Sequence, residues 1–138
     1  MLGGAPRRSQ GAEPPPGGVW VADTMGELGL LYRLSPIVFM GRSLIGRGGQ
    51  NPLEAARFGC AIAVGLHTGN FEDVVARLLA AGGLVRVEDG AGLAAWVDSM
   101  LRDPARREQA GEVVRGVADG ESALPDRVAK ALLELLAR

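Results

Sequence analysis

A glycine-rich stretch that leads into a helix start is the part of this sequence best suited to chemistry. It runs from Gly46 to Glu54 and reads Gly-Arg-Gly-Gly-Gln-Asn-Pro-Leu-Glu. Asn51 is a good helix cap, Pro52 suits the first helical position, and Glu54 falls in the first turn. Free backbone N–H groups at such a junction favour an anion, and the Glu54 carboxylate could bind a sugar diol. The stretch therefore indicates a nucleotide-sugar site.

A second helix start of the same kind lies earlier in the chain. Thr24-Met25-Gly26-Glu27 has capping-box spacing, with Thr24 as the cap and Glu27 three positions later. Each motif also has a purely structural interpretation, because capping boxes are common at helix starts. Both motifs and the loop around His67 are expected to follow strands of one parallel sheet, whose carboxyl ends share an edge. We therefore expect these segments to converge.

The composition narrows the class of protein. With 138 residues, 47% of them hydrophobic, the chain can form one domain with a core. A net charge of −1 gives no broad basic field, which argues against a nucleic-acid partner. The single cysteine, Cys60, excludes a disulfide framework, favours a reducing compartment, and is expected to be a buried inert thiol rather than a nucleophile. No apolar run approaches the ~18 residues that span a bilayer, and no signal peptide is visible.

The chain divides into an arm and a domain. Residues 1–18 are rich in proline, glycine and arginine and are predicted to be a flexible arm, with the domain over 19–138. Apolar runs predict four strands and helical spacing predicts the segments between them. The strands are predicted at 19–22, 37–40, 61–64 and 84–87, and the intervening helices at about 25–33, 52–58 and 71–81.

The remainder of the chain is predicted to be helical. Leu93, Val97, Met100 and Leu101 share one helix face, and a second helix runs from Pro104 to about residue 118. A last apolar stripe, predicted to pack on the core or on another domain, comprises Leu124, Val128, Leu132, Leu135 and Leu136. Strands that alternate with helices predict an α/β fold with a parallel sheet and right-handed crossovers. Four strands make only part of a doubly wound sheet.

Several short motifs occur in order and at close spacing. They are Asp23–Leu28, Leu31-Tyr32, Phe39–Leu44, Gly48–Ala56 and Gly65–Phe71. In these motifs the chain resembles, over about residues 19–137, the carboxyl-terminal part of the bacterial Kdo transferases. These enzymes transfer 3-deoxy-D-manno-octulosonic acid (Kdo) from CMP-Kdo to lipid A precursor (lipid IVA) in lipopolysaccharide core biosynthesis. The resemblance implies a glycosyltransferase-B fold, of which this chain is part of the Rossmann-like carboxyl-terminal domain.

The resemblance also implies which residues hold the CMP moiety. Helix-start N–H groups at Gly26 and near Asn51 would meet phosphate or base acceptors, and Glu54 would accept the ribose hydroxyls. No metal or cofactor is implied, since the single histidine lacks further ligands. The implied CMP-binding residues are Met25, Gly26, Glu27, Asn51, Pro52, Leu53 and Glu54, with Ser43, Gly48, Gly49 and His67 in support.

The sequence departs from the family at three positions near these motifs. The family often has glycine where Arg42 stands, proline where Leu66 stands, and phenylalanine where Gly69 stands. Arg42 could help to bind phosphate or could crowd the site. Farther along, Arg102, Arg106 and Arg107 are expected to form a solvated helix face, with membrane phospholipid contact as the alternative.

The resemblance places the family's catalytic carboxylate, acceptor surface and membrane anchor in an amino-terminal region. No catalytic residue is therefore implied within this chain, and we expect the chain alone to be a soluble cytoplasmic protein with little or no activity. The family itself acts at the cytoplasmic face of the bacterial inner membrane. Two alternatives stay open: a non-catalytic nucleotide-binding remnant, which could be the partner of a separately encoded amino-terminal half, and a glycosyltransferase-B fragment that uses a UDP or GDP sugar.

Overall fold

A small parallel sheet forms the centre of the molecule. The computed structural model describes residues 4–46, 48–122, 129–130, 132–133 and 136. The sheet contains β1 (Ile37–Phe39), β2 (Ala61–Val64) and β3 (Leu84–Arg86) in the order β1-β2-β3. In its register Val38 lies opposite Ile62, and Ile62 lies opposite Leu84. The predicted α/β fold with a parallel sheet is confirmed, and β1, β2 and β3 lie close to three of the four predicted strands.

Among the described residues up to Ser122, five α-helices surround or extend this sheet. They are α1 (Leu28–Leu34), α2 (Leu53–Arg57), α3 (Glu72–Ala80), α4 (Gly90–Arg102) and α5 (Pro104–Ser122). Helix α2 connects β1 to β2 and α3 connects β2 to β3, as the alternating pattern predicts. The side chain of Asp103 accepts the backbone N–H of Arg106 at 3.0 Å, which caps the start of α5.

The strand predicted at residues 19–22 is wrong. This segment makes only one isolated parallel bridge, between Val21 and Arg7. Its apolar side chains are poorly covered, since Val19 is 52% exposed. A short apolar run becomes a strand only where a neighbouring strand offers it a ladder, and the partner of Val21 is the amino-terminal segment instead.

The first helix begins later than predicted. It starts at Leu28 rather than Met25, because Gly26 has a φ of 83° and so interrupts any helix that includes it. The hydroxyl of Thr24 donates to the carboxylate of Glu27. The residue before α1 is Glu27, and no side chain accepts a backbone N–H of the first turn, so Thr24 is not the helix cap. Residues 23–27 therefore form a turn that lies before the helix.

The core lies on both faces of the sheet. On one face Ile62 and Val64 pack with buried residues of α2, α3 and α5, among them Ala55, Leu78 and Val114. On the other face a second cluster packs against α4. That second cluster consists of Ala61, Ala63, Val87, Trp96 and Met100, with partly buried neighbours that include Ile37, Phe39 and Leu93.

The helical stripes are only partly as predicted. Leu93, Val97 and Met100 pack in the second cluster together with the buried Trp96, whereas Leu101 is 61% exposed. In the last stripe Leu132 and Leu136 are exposed. Leu124, Val128 and Leu135 lie outside the described residues.

Arg102, Arg106 and Arg107, which were expected to form a solvated helix face, differ in their environments. Arg102 pairs with Asp98 at 2.7 Å on the exposed side of α4, and Arg106 is also exposed. Arg107 is half-buried and donates to the carbonyl oxygen of Met100 at 3.2 Å, near the end of α4. The solvated face is confirmed for the first two. Within the described ranges no helix is long and apolar enough to cross a membrane.

Helix α5 approaches the α2–β2 turn so closely that only glycine fits at the contact. A methyl group on Gly111 would lie 2.0 Å from the carbonyl oxygen of Gly59, whereas one on Gly116, in the same helix, would meet nothing within 4 Å. We expect Gly111→Ala to lower the free energy of unfolding by roughly 1–3 kcal/mol through overpacking. The control Gly116→Ala should raise it by about 0.5–1 kcal/mol through helix propensity. Urea unfolding followed by circular dichroism measures both, and equal effects would contradict the close contact.

Candidate functional site

A groove between α1 and α2 opens at the carboxyl end of β1. It consists of two adjoining cavities of about 390 and 470 Å³. Both cavities are lined by Leu28, Tyr32 and Glu54. The first is completed by Gly26, Gly29, Arg57 and Phe58, and the second by Val38, Phe39, Met40, Gly41, Gln50 and Asn51. We call these two cavities together the groove.

The groove brings together residues from both predicted motifs, but not all of them. Gly26 from the first motif and Asn51 and Glu54 from the second line it. The other four implied CMP-binding residues are not among its lining residues. Met25 is 96% exposed, Glu27 is paired with Arg8, Pro52 is buried, and Leu53 packs against the core. Their roles in binding stay predictions.

The start of α2 is fixed by Asn51. Its side-chain oxygen accepts the backbone N–H of Leu53 at 3.1 Å, and Pro52 between them already has helical dihedral angles. The capping role predicted for Asn51 is thereby confirmed. Helix α2 is only five residues long, Leu53–Arg57, so its macrodipole is weak and an anion would depend on individual N–H groups.

Ser43 joins the glycine-rich loop to the loop that follows β2. Its fully buried hydroxyl donates to the carbonyl oxygen of Met40 at 2.6 Å and accepts the backbone N–H of Gly65 at 2.7 Å. The backbone N–H of His67 donates to the carbonyl oxygen of Ser43 at 2.8 Å. The two loops therefore converge as expected. The contact at His67 is made by its backbone, so it does not require the imidazole.

The two loops also pack closely against each other. A methyl group on Gly65 would lie 2.3 Å from the carbonyl oxygen of Ser43, and one on Gly49 would lie 3.4 Å from that of His67. Gly48 lies against Gly69 in the same contact. Close approach therefore requires glycine at position 65, whereas the supporting role implied for Gly48 and Gly49 in CMP binding stays a prediction. Arg47, between Gly46 and Gly48, lies outside the described residues.

Arg42 has a left-handed backbone conformation, with a φ of 67°. A residue with a side chain is strained there by about 1 kcal/mol, whereas glycine adopts this conformation freely. The departure from glycine noted in the sequence therefore falls on a position where glycine has a physical advantage. Arg42 is exposed and is not among the residues that line the groove.

An aromatic pair forms the outer wall of the groove. The rings of Tyr32 and Phe58 lie 6.1 Å apart between centroids, and the guanidinium of Arg33 lies 5.5 Å from the centroid of Phe58. Desolvation, followed by the charge of Glu54, raises the pKa of Tyr32, so its phenol remains a neutral donor. Sequence reasoning missed Arg57 and Phe58 as lining residues, although Arg57 ends the same short helix as Glu54 and Phe58 follows it directly.

Cys60 lies behind this wall. It is buried, with its sulfur 3.4 Å from the carbonyl oxygens of Tyr32 and Ser35. Burial raises the pKa of its thiol, which keeps it protonated and unreactive. The expectation of a buried inert thiol is confirmed.

A cluster that the sequence did not suggest connects the 65–69 loop to β3. The buried hydroxyl of Thr68 donates to the carboxylate of Glu72, which also accepts the guanidinium of Arg86. Thr68 first and Arg86 second lower the pKa of Glu72. Its carboxylate is therefore an ionised link at the carboxyl edge of the sheet. Within the described ranges, no group of three or more histidine, cysteine or acidic residues is placed to hold a metal ion.

The turn at residues 23–27 is tied to the amino-terminal segment by ionic hydrogen bonds. Arg8 donates to Glu27 at 2.9 and 3.2 Å, and Ser9 donates to Asp23 through its N–H at 2.9 Å and its hydroxyl at 2.8 Å. Arg8 and then Thr24 lower the pKa of Glu27 to about 2, and the two donors of Ser9 lower that of Asp23 to about 2. Because these pKa values are lowered by folding, the stabilisation is complete above the unfolded-state pKa values and is lost as the pH falls toward 2. The flexibility and boundary predicted for residues 1–18 stay predictions.

Two known bacterial proteins that are similar to this chain have the same name. No protein-family model matches the chain. The 3-deoxy-D-manno-octulosonic acid transferase of Bordetella pertussis is 35% identical over 132 residues, which are 94% of this chain and 31% of that protein. The enzyme of the same name from Haemophilus influenzae is 38% identical over 94 residues, 67% of this chain and 22% of that protein. The chain thus spans less than a third of the length of these curated relatives.

A solved structure extends this similarity to the fold. The crystal structure of the carboxyl-terminal CMP-Kdo binding domain of WaaA from Acinetobacter baumannii matches with a TM-score of 0.76 and 31% identity, over 80% of this chain and 58% of that one. The fold predicted from the sequence, part of a glycosyltransferase-B carboxyl-terminal domain, is confirmed. Because the Bordetella match covers 94% of the chain, the similarity also reaches into the segment before Val19, beyond the range expected from the motifs.

The geometry at Ser43 gives a direct test of how the two loops are held together. Ser43→Ala would leave the buried N–H of Gly65 without its acceptor, and we expect it to lower the free energy of unfolding by roughly 1–3 kcal/mol. The control is Ser99→Ala, because Ser99 donates only to a carbonyl oxygen within α4. That change should stay within about 0.5 kcal/mol. Urea unfolding of both variants makes the comparison, and a loss at Ser43 no larger than at Ser99 would contradict the assigned role.

Proposed function

Because this chain is homologous to the carboxyl-terminal part of the Kdo transferases, we propose that its groove binds CMP-Kdo as the donor for transfer to a lipid A precursor. One observation carries the proposal. Gly26 and Glu54 come from separate motifs and yet line the same cavity, as a shared nucleotide site requires. In this role the chain supplies donor binding to lipopolysaccharide synthesis at the cytoplasmic face of the inner membrane.

The chemistry of the groove suits a nucleotide. Glu54 is exposed and lines both cavities, so its carboxylate can accept hydrogen bonds from the two ribose hydroxyls. The aromatic wall of Tyr32 and Phe58 offers apolar surface to a base. Arg57 adds a positive charge at the margin of the same cavity, which favours the anionic phosphate.

Catalysis of transfer needs a base in addition to a bound donor. Among the described residues that line the groove, Glu54 is the only carboxylate and histidine is absent. If Glu54 binds the ribose, no lining group is left to deprotonate the acceptor hydroxyl. We therefore assign donor binding to this chain, and place the proton transfer and the acceptor surface in other parts of a complete enzyme.

Donor binding is tested by calorimetry with CMP. We expect the 138-residue chain to bind CMP, and Glu54→Gln to weaken the affinity by about 10- to 100-fold, because a hydrogen bond to a charged group contributes roughly 1.5–3 kcal/mol. The matched control, Glu108→Gln on the exposed side of α5, should leave the affinity unchanged. Competition with UMP and GDP decides between nucleotide classes. If UMP or GDP binds more tightly than CMP, the donor is a UDP or GDP sugar and the proposal of CMP-Kdo is wrong.

Transfer is tested separately. Incubated with radiolabelled CMP-Kdo and lipid IVA, the 138-residue chain should form no labelled lipid above background, since the groove has no spare base. A full-length Kdo transferase serves as the positive control. Normal turnover by the chain would show that it contains a complete catalytic site.

A further inference from the structure

We infer that Arg8 is a positioning residue of the donor site, which holds Glu27 and thereby fixes the turn that carries Gly26 at the edge of the groove. The inference rests on the proposed function, because it assigns a role within the same site. It concerns a residue of the segment that the sequence predicts to be a flexible arm.

The contact between Arg8 and Glu27 has the geometry of a specific pair. Two nitrogens of the guanidinium face the two carboxylate oxygens, with Nη2 at 2.9 Å from Oε1 and Nε at 3.2 Å from Oε2. This forked arrangement adds directional specificity to the charge attraction. The side chains are 42% and 30% exposed, so water screens the pair only in part. Thr24 donates to the same carboxylate from within the turn.

Arg8 is itself held in place by its backbone. Its N–H donates to the carbonyl oxygen of Val21 at 2.9 Å, and the N–H of Val21 donates to that of Pro6 at 2.9 Å. Next to it, Ser9 donates twice to Asp23, and Arg7 pairs with Asp23 at 3.2 Å. Both ends of the turn, Asp23 and Glu27, are therefore tied to consecutive residues of the amino-terminal segment.

The turn needs this support because it is not helical. Gly26 has a left-handed φ of 83°, and α1 begins only at Leu28. The backbone of residues 23–26 therefore gains no order from the helix, and its side-chain contacts decide its position. Because Gly26 lines the cavity together with Glu54, a displacement of the turn changes the space available to a nucleotide.

The experiment measures CMP affinity together with the order of the turn. Arg8→Ala should weaken CMP binding by about 3- to 10-fold, and Arg8→Lys, which keeps the charge but loses the fork, should recover part of that loss. In a Glu27→Gln background Arg8→Ala should have little further effect. Without CMP, the amide of Leu31, which donates to the carbonyl oxygen of Glu27 at 3.1 Å, should exchange faster in Arg8→Ala. The control Arg102→Ala, which removes another exposed pair, should change none of these quantities.

Each other outcome has a defined meaning. If the unchanged chain binds CMP and Arg8→Ala binds it equally well, the inference is overturned and the proposed function stands. If Arg8→Ala loses affinity additively with Glu27→Gln and its amide exchange is unchanged, Arg8 acts on the ligand directly and the positioning role is wrong. A chain that does not bind CMP at all overturns the proposed function and the inference with it. If Arg8→Ala does not fold, the same measurements of CMP affinity and amide exchange are made on Arg8→Lys.

Discussion

The close approach of the two loops that follow β1 and β2 is the constraint on which the rest of the site depends. Gly65 lies so near the backbone of Ser43 that no side chain fits between them. The buried hydroxyl of Ser43 then satisfies polar groups of both loops. These contacts fix the loop after β1, which leads to Asn51 and Glu54. Both residues line the groove together with Leu28 and Tyr32 of α1. The groove is therefore a consequence of backbone packing at the sheet edge.

How much the sequence could predict differs between elements for physical reasons. Strand β2 was located correctly because Ala61–Val64 is buried on both faces and reads as a continuous apolar run. The cap at Asn51 was found because it depends on a contact with the nearby Leu53. The segment at 19–22 has a similar apolar pattern, but whether it pairs is decided by neighbours that local spacing does not reveal.

The groove itself shows the same division. Glu54 could be chosen from its motif, since helix starts have local signatures, whereas Gly26 was implied by the resemblance and lies in a turn before α1. Phe58 and Arg57 line the cavity only because α1 packs across α2, with Gly29 close to the ring of Phe58. The ties from Arg8 and Ser9 to the 23–27 turn join segments that are far apart in sequence. The composition of residues 1–18 predicted a flexible arm. Local sequence patterns could not predict that Arg8 and Ser9 would bind Glu27 and Asp23.

Helix α5 links the groove to the core through its contact with the α2–β2 turn. Its residues Val114 and Ala118 are buried in the main cluster, and Gly111 touches the turn that ends α2. The same helix covers Gly83 at the start of β3. A local opening of the groove would therefore disturb contacts shared with the whole domain, so binding and global unfolding are thermodynamically linked. A ligand held by α1 and α2 would protect the entire fold, including amides far from the groove, against thermal unfolding and proteolysis.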